Sequence, residues 1–220
     1  MDLGTSSMSD TSGDRNKNRP RILICCLSGW QMWKRRERCL STWMGSVNKF
    51  WGLDAVFCLG VPNLVKPERQ GCMLFLPCPN AYQFLPQRTR WLCEWALQQD
   101  HWDWVFKTDD DCRLSLRRLV NYPLPPGADY IGAEWRPGVG YGSGNGYFLS
   151  RRAAVVVREQ LRDLCHPAGA EDLLVGQVLR VAGIPLVIDN ERFHVLAEMD
   201  ERPGPGNGWV YSSPATREPE

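Results

Sequence analysis

Three consecutive carboxylates, Asp109, Asp110 and Asp111, end the apolar run of "WVFKTDDDC" (104–112). Like charges this close repel, and each resists ionising beside the others. In an extended segment residues i and i+2 point the same way, so Asp109 and Asp111 share a face and Asp110 points opposite. Two carboxylates roughly 6–7 Å apart at their Cα atoms suit a hard divalent cation that keeps positions open for phosphate oxygens. The place is also right, because open α/β sheets bind ligands beyond the C-terminal ends of their strands. The plain alternative is a solvated acidic turn in which Asp109 or Asp111 caps a helix beginning near Arg113.

Four further groups carry chemistry. In "GAEDLLVG", Glu171 and Asp172 occupy the first turn of a predicted helix, where the dipole alone favours carboxylates. A carboxylate fixed on a rigid helix end is also suited to act as general base toward a hydroxyl. "YGSGNGYFLS" (141–150) sets Gly142, Gly144 and Gly146 on alternate positions, as a glycine-rich turn leading into a strand. Glycine there permits positive φ or close approach of backbone to a ligand, and a tight turn without ligand reads the same way. His194, after the last predicted strand, could complete a metal's coordination or be a polar edge residue. Arg35, Arg36 and Arg38 follow the first strand; guanidinium forks match diphosphate oxygens or base edges, although a solvated helix face is the usual explanation of such a run. Neither G-x-G-x-x-G nor G-x-x-x-x-G-K-[ST] occurs, which removes the main support for a dinucleotide-binding Rossmann site or a P-loop.

These residues must be positioned by the elements around them. "RILICCLSG" (21–29) is a continuous apolar run, as expected of a strand covered on both faces. A basic helix follows over 33–44, then strands over 54–60 and 72–78. A helix over 87–99 carries Trp91, Leu92, Trp95 and Ala96 on one stripe. A strand over 103–109 ends at the triple aspartate, and a short helix follows over 113–120. A strand over 128–135 precedes the glycine-rich stretch, and Ser150 is placed to cap a helix carrying Ala154, Val157, Leu161 and Leu164. The last helix spans 170–182 and stops at Gly183, before a final strand over 185–189. This alternation predicts one α/β domain with a mostly parallel, Rossmann-like central sheet flanked by helices.

Composition sets the outer bounds. At 220 residues and 25.1 kDa the chain fits one domain with a sizeable core. Twenty-six basic against twenty-five acidic residues speak against a nucleic-acid binder or a membrane-surface protein. Nine cysteines, an odd number without C-x-x-C pairs, read as buried thiols, notably Cys25, Cys26 and Cys58. Residues 1–19 are polar, without a signal-peptide core, and read as a disordered tail; 20–200 form the domain and 201–220 a flexible tail. No stretch approaches the roughly 18 apolar residues that span a bilayer, so a reducing cytoplasm is the expected compartment.

Taken in order, the motifs resemble those of the β-1,3-galactosyltransferase and Fringe-like glycosyltransferases, which have the GT-A fold. "RRERCLSTW" resembles an early R-R-x-x-x-R-x-T-W, with Leu40 in place of the third arginine and Arg38 two residues earlier. "YQFLPQRT" (82–89) resembles Y-x-x-L-x-x-K-T, with Arg88 where lysine is usual. "FKTDDDC" matches K-x-D-D-D, "SGNGYFLS" is similar to S-G-G-G-Y-x-x-S, and "EDLLVG" matches E-D-V-x-x-G. The resemblance runs from about Arg21 to His194.

It implies an inverting transfer of a hexose from a UDP-sugar to an acceptor hydroxyl, assisted by Mn²⁺ or Mg²⁺. Galactose or an N-acetylhexosamine is the expected sugar, and a glycan, a lipid-linked molecule or a small molecule the acceptor. By position, Asp111 would be the principal metal ligand and His194 a second, with Asp109 and Asp110 holding the ribose or supporting the metal. Asp172 would be the general base, and Glu171 would orient a hydroxyl. Lys107, Gly144 and Gly146 would line the donor site, with Arg35 and Arg36 near the nucleotide. Family members carry an N-terminal membrane anchor that this sequence lacks, which points to a soluble, cytoplasmic relative. Two other classes compete: a non-catalytic nucleotide-sugar or glycan binding domain on the same scaffold, and an aspartyl phosphotransferase. The second lacks its D-x-D-G-[TV] context.

Overall fold

The computed structural model describes residues 19–134, 136–162, 170–193 and 211–212. Its centre is an eight-stranded sheet. The first half contains β1 (Ile22–Leu27), β2 (Leu53–Gly60), β3 (Glu68–Gln70), β4 (Met73–Leu76) and β5 (Trp104–Asp109). The second half contains β7 (Tyr130–Glu134), β8 (Gly142–Ser150) and β9 (Val187–Ile188), and the order across the sheet is β3-β4-β2-β1-β5-β8-β7-β9. β4, β2, β1 and β5 run parallel, as do β7 and β9. β8 lies antiparallel between β5 and β7, and β3 is an antiparallel edge. The parallel half is the Rossmann-like part; the sheet as a whole is mixed.

Helices cover both faces: α1 (Trp33–Thr42), α2 (Leu85–Leu97), α3 (Leu116–Val120), α4 (Arg151–Gln160) and α5 (Glu171–Val181). β1 shows why its sequence is apolar throughout. Leu23, Cys25 and Leu27 join the core under α2, α4 and α5, while Ile22, Ile24 and Cys26 join the one shared with α1 and α3. Alternate side chains enter opposite layers, so no polar position is left. Cys25, Cys26 and Cys58 are fully buried free thiols. Ser150 accepts the Ala153 N–H at 3.2 Å and caps α4, which buries Ala154 and Val157, with Leu161 buried just past its end.

Several boundaries differ from the sequence expectation. The glycine-rich stretch is not a turn before a strand; it is the first half of β8 itself, with Gly146 paired to Thr108 of β5 and Gly142 to Glu134 of β7. Residues 113–120 divide into a two-residue strand, β6 (Arg113–Leu114), and the single-turn α3. β6 pairs antiparallel with β10 (Tyr211–Ser212), two residues of the stretch expected to be a flexible tail. The rest of 201–220, most of the N-terminal tail and Leu164 lie outside the described residues. The edge strand β3 has no apolar residue to announce it and is exposed throughout. Among the described residues no helix is long and apolar enough to cross a membrane.

Candidate active site

The chain turns sharply at the end of β5. The Asp110 N–H donates to Leu27 O at 3.2 Å and the Cys112 N–H to Asp109 O at 3.2 Å. This turn sorts the three carboxylates as the pleat requires. Asp110 faces inward, accepting Ser28 Oγ at 2.6 Å and Arg35 Nη1 at 3.4 Å. Burial raises its carboxyl above the ordinary range against the opposing pull of Ser28 and Arg35. Asp109 and Asp111 keep 33% and 32% of their side chains exposed. None of the three caps a helix: α3 has Ser115 at its N-cap, and no side-chain bond is made there.

Lys107 stands behind Asp109. Its side chain is only 2% exposed, so its ammonium must find partners within the protein. Nζ lies 2.9 Å from Asp109 Oδ1 and 3.1 Å from Glu171 Oε2, and donates to Gly144 O at 2.6 Å. Burial alone would depress this amine, but Asp109 and Glu171 outweigh it and hold the group above its ordinary range. Burial raises Asp109 to about 7, opposed by Lys107 and reinforced by the Asp111 charge. A cation bound beside it would reverse that shift.

Glu171 is buried, and both of its oxygens are engaged. Oε1 accepts Thr89 Oγ1 at 2.8 Å and the Tyr147 hydroxyl, and Oε2 faces Lys107. These contacts tie α2, β5, β8 and α5 at one point. Thr89 and Tyr147 are the positioning residues that residue type alone did not single out. Their signal lay in the motifs that contain them, "YQFLPQRT" and "SGNGYFLS".

Asp172 sits beside this hub on the first turn of α5. Its Oδ2 accepts the Gly144 N–H at 3.0 Å, and its Oδ1 accepts the Leu173 N–H at 2.9 Å. A Cβ on Gly144 would stand 3.3 Å from Asp172 Oδ2, 3.5 Å from Lys107 Nζ and 3.6 Å from Asp109 Oδ2. The missing side chain is therefore the space that these three groups share. Gly146 instead lies in the ladder opposite Thr108, whose hydroxyl donates to Asn145 O at 2.7 Å. Gly176 explains the glycine that closes "EDLLVG". A Cβ there would overlap Tyr141 Cβ and come within 3.1 Å of Tyr141 Cα. Asp172 and Gly176 are one turn apart on α5, so a single helix face presents both to β8 and its approach, fixing the register of helix against strand.

The arginines divide. Arg35, partly exposed, reaches Asp110 at 3.4 Å and Asp111 at 3.5 Å. Arg36, expected near a nucleotide, is buried and gives its donors to Ser28 Oγ at 3.0 Å, Gly29 O and Trp30 O at 3.2 Å, so it braces the loop after β1. Arg88 is also buried, donating to Ser28 O at 2.8 Å and Asn80 O at 2.9 Å. The structure thus brings Lys107, Asp109, Gly144, Glu171 and Asp172 together, with Asp110, Asp111 and Arg35 alongside. His194 lies outside the described residues.

Among the described residues the ion-pair partners of these five carboxylates are Lys107 and Arg35. The excess of negative charge and the two half-exposed aspartates fit a hard divalent cation. No third His, Cys, Asp or Glu joins them among the described residues, so the donor set fits an open ion shared with substrate oxygens, not a closed structural site.

No family model matches the chain, and no curated protein matches it. Among solved structures it is similar to a glycosyltransferase involved in the glycosylation of the major capsid of PBCV-1. Identity there is 12% and the TM-score 0.44, over 64% of this chain and 66% of that one. It is also similar to the mannosyltransferase PcManGT from Pyrobaculum calidifontis, solved in complex with GDP-Man and Mn²⁺. Identity is again 12%, with a TM-score of 0.46 over 79% of this chain and 56% of that one. Glycosyltransferases are thus among its structural neighbours, and likenesses of this size leave the reaction to be argued from the site itself.

Proposed function

We propose that the chain is an inverting, metal-dependent glycosyltransferase that moves a hexose, galactose or an N-acetylhexosamine, from a UDP-sugar to an acceptor hydroxyl. The observation that carries this reading is the convergence on Gly144 of a carboxylate on a helix end, Asp172, and a carboxylate on a strand end, Asp109. A sugar between them would have its leaving group toward the aspartates of β5 and its attacked face toward Asp172.

Asp111 and Asp109 would hold Mn²⁺ or Mg²⁺, with His194 as a further ligand. When bound, the cation stabilises the negative charge that develops on the departing diphosphate. Asp172 takes the acceptor's proton as the hydroxyl oxygen bonds to the anomeric carbon and the bond to UDP breaks. A single displacement from the opposite face inverts that centre. The two N–H groups on Asp172 fix its carboxylate while leaving lone pairs for the proton. Lys107 and Glu171 act as positioning residues that keep Asp109 and Gly144 in place, and Arg35 faces the nucleotide. A glycan, a lipid-linked molecule or a small molecule supplies the hydroxyl, and the expected compartment is the cytoplasm.

The test is calorimetric titration of UDP into the protein with and without Mn²⁺, followed by transfer assays. UDP binding should require the metal. Asp111→Asn should lose that metal-dependent binding, whereas Asp172→Asn should keep it and lose transfer by about 10²–10⁴-fold. Normal turnover by Asp172→Asn would remove it as the base. Firm UDP-sugar binding without turnover on any acceptor would make the chain a binding domain.

A further inference from the structure

Among the described residues, one exposed aromatic ring near this site has neither a ring-stacking nor a hydrogen-bond partner. Tyr82 begins a single 3₁₀ turn, Tyr82–Phe84, that leads into α2, and it is 67% exposed. Its flanks are fixed at both ends. On one side Asn80 is held by Arg88, which also binds Ser28 O, and a Cβ on Gly29 would stand 3.8 Å from the Asn80 amide. On the other, Pro86 starts α2 and Thr89 bonds Glu171 at the foot of α5. Residues 80–85 therefore form the rim between the loop after β1 and the end of α5 that carries Asp172.

The Tyr82 hydroxyl has no hydrogen-bond partner among the described residues. Trp30, the exposed aromatic of the neighbouring loop, differs: its Nε1 donates to Gly60 O at 2.9 Å and its ring stacks on Phe75. The segment of Tyr82 runs from the loop whose Ser28 hydroxyl donates to Asp110 to the helix whose Thr89 donates to Glu171, the neighbour of Asp172. In keeping with that place, partial burial and then the Asp109 and Asp172 charges hold the Tyr82 phenol above its ordinary range. In a displacement the leaving group lies toward Asp109 and Asp111 and the incoming hydroxyl toward Asp172. Only the transferred sugar would lie between, and the rim that carries Tyr82 spans the same two sides.

We propose that Tyr82 contacts the hexosyl group of the donor, its ring packing on the sugar and its hydroxyl bonding a sugar hydroxyl, and that it determines which hexose is accepted. This rests on the transferase reading above. Aromatic faces with a polar tip suit a sugar's mixed surface, and a single hydroxyl contact is enough to separate epimers.

The experiment compares UDP with UDP-galactose, UDP-glucose and UDP-N-acetylglucosamine by calorimetry in Mn²⁺, for wild type, Tyr82→Ala and Tyr82→Phe. Slow hydrolysis of each donor serves as a second readout needing no acceptor. Tyr82→Ala should bind UDP like wild type but bind the preferred UDP-hexose about tenfold more weakly. Tyr82→Phe should keep most of that affinity while the preference between UDP-galactose and UDP-glucose shrinks about tenfold. If both variants bind and hydrolyse all three donors in the wild-type order and strength, Tyr82 has no such role. If wild-type protein binds no UDP in Mn²⁺, the transferase reading fails and this inference with it.

Discussion

Replacing Lys107 with methionine keeps the length of the side chain and removes its charge. The ammonium has three N–H groups and three partners, Asp109 Oδ1 at 2.9 Å, Glu171 Oε2 at 3.1 Å and Gly144 O at 2.6 Å. In the variant, Glu171 stays buried as a carboxylate with only the Thr89 and Tyr147 hydroxyls as donors, and Gly144 O loses its donor. Breaking a buried ion pair from one side costs about 3–5 kcal/mol. Asp109 keeps a third of its side chain exposed and can turn to water, so the low end, about 3 kcal/mol, applies. For a domain of this size that lowers the melting temperature by roughly 6–12 °C. Thermal unfolding followed by tryptophan fluorescence measures it. Adding Glu171→Gln should relieve the stranded charge, so the double variant should be more stable than the sum of the single effects by at least about 1 kcal/mol. A melting point within about 2 °C of wild type, or strictly additive variants, would refute this account of the hub.

Gly144→Ala places a methyl in ordinary contact with Lys107 and Asp109, at 3.5 and 3.6 Å, and tight against Asp172 Oδ2 at 3.3 Å, which must give by a few tenths of an ångström. It should melt within about 3 °C of wild type yet lose donor turnover by about 100-fold, because it fills the space the sugar needs. Gly176→Ala should cost about 1–3 kcal/mol in urea unfolding, since Tyr141 must move off α5. Acid should weaken the contact between β9 and the loop after α3 in a defined way. Burial pushes the Asp189 carboxyl up, but the Tyr122 hydroxyl and Arg192 outweigh it and hold it below its ordinary value. Its contribution is complete above about pH 4 and is lost as pH falls through the lower folded value. The stability gap between wild type and Asp189→Asn should therefore be constant from about pH 5 to 7 and shrink below about pH 4 in denaturant titrations.

Much of this was legible in the residues, and for physical reasons. β1 is buried on both faces and an apolar run fills it, whereas β5 begins apolar and then buries Lys107 and Thr108, whose polar atoms are met by Asp109, Glu171 and the Gly144 and Asn145 carbonyls. The alternation of Asp109, Asp110 and Asp111 carried from the pleat into the turn, which is why one aspartate is buried and two are half exposed. What stayed hidden depends on contacts between distant segments. The glycines at 142, 144 and 146 read as a turn because glycine weakens an isolated strand; here β5 and β7 supply the ladder on both sides. Arg36 read as a nucleotide contact or a solvated helix face, and it is buried because it donates to the Ser28 hydroxyl and to the Gly29 and Trp30 carbonyls. Tyr82 offered no periodicity at all, and its place follows only from where Arg88 and Thr89 anchor its flanks.

The hydrogen bond from Gly144 to Asp172 has a spectroscopic consequence. A backbone amide proton is shared directly with the side chain proposed as base, so the Gly144 resonance in a nitrogen-15 spectrum will move when that carboxylate's surroundings change. Followed before and after UDP and Mn²⁺ are added, this one signal reports changes at the carboxylates gathered around Gly144, Asp172 and Asp109. The same fold that orients the carboxylate thus supplies its own indicator.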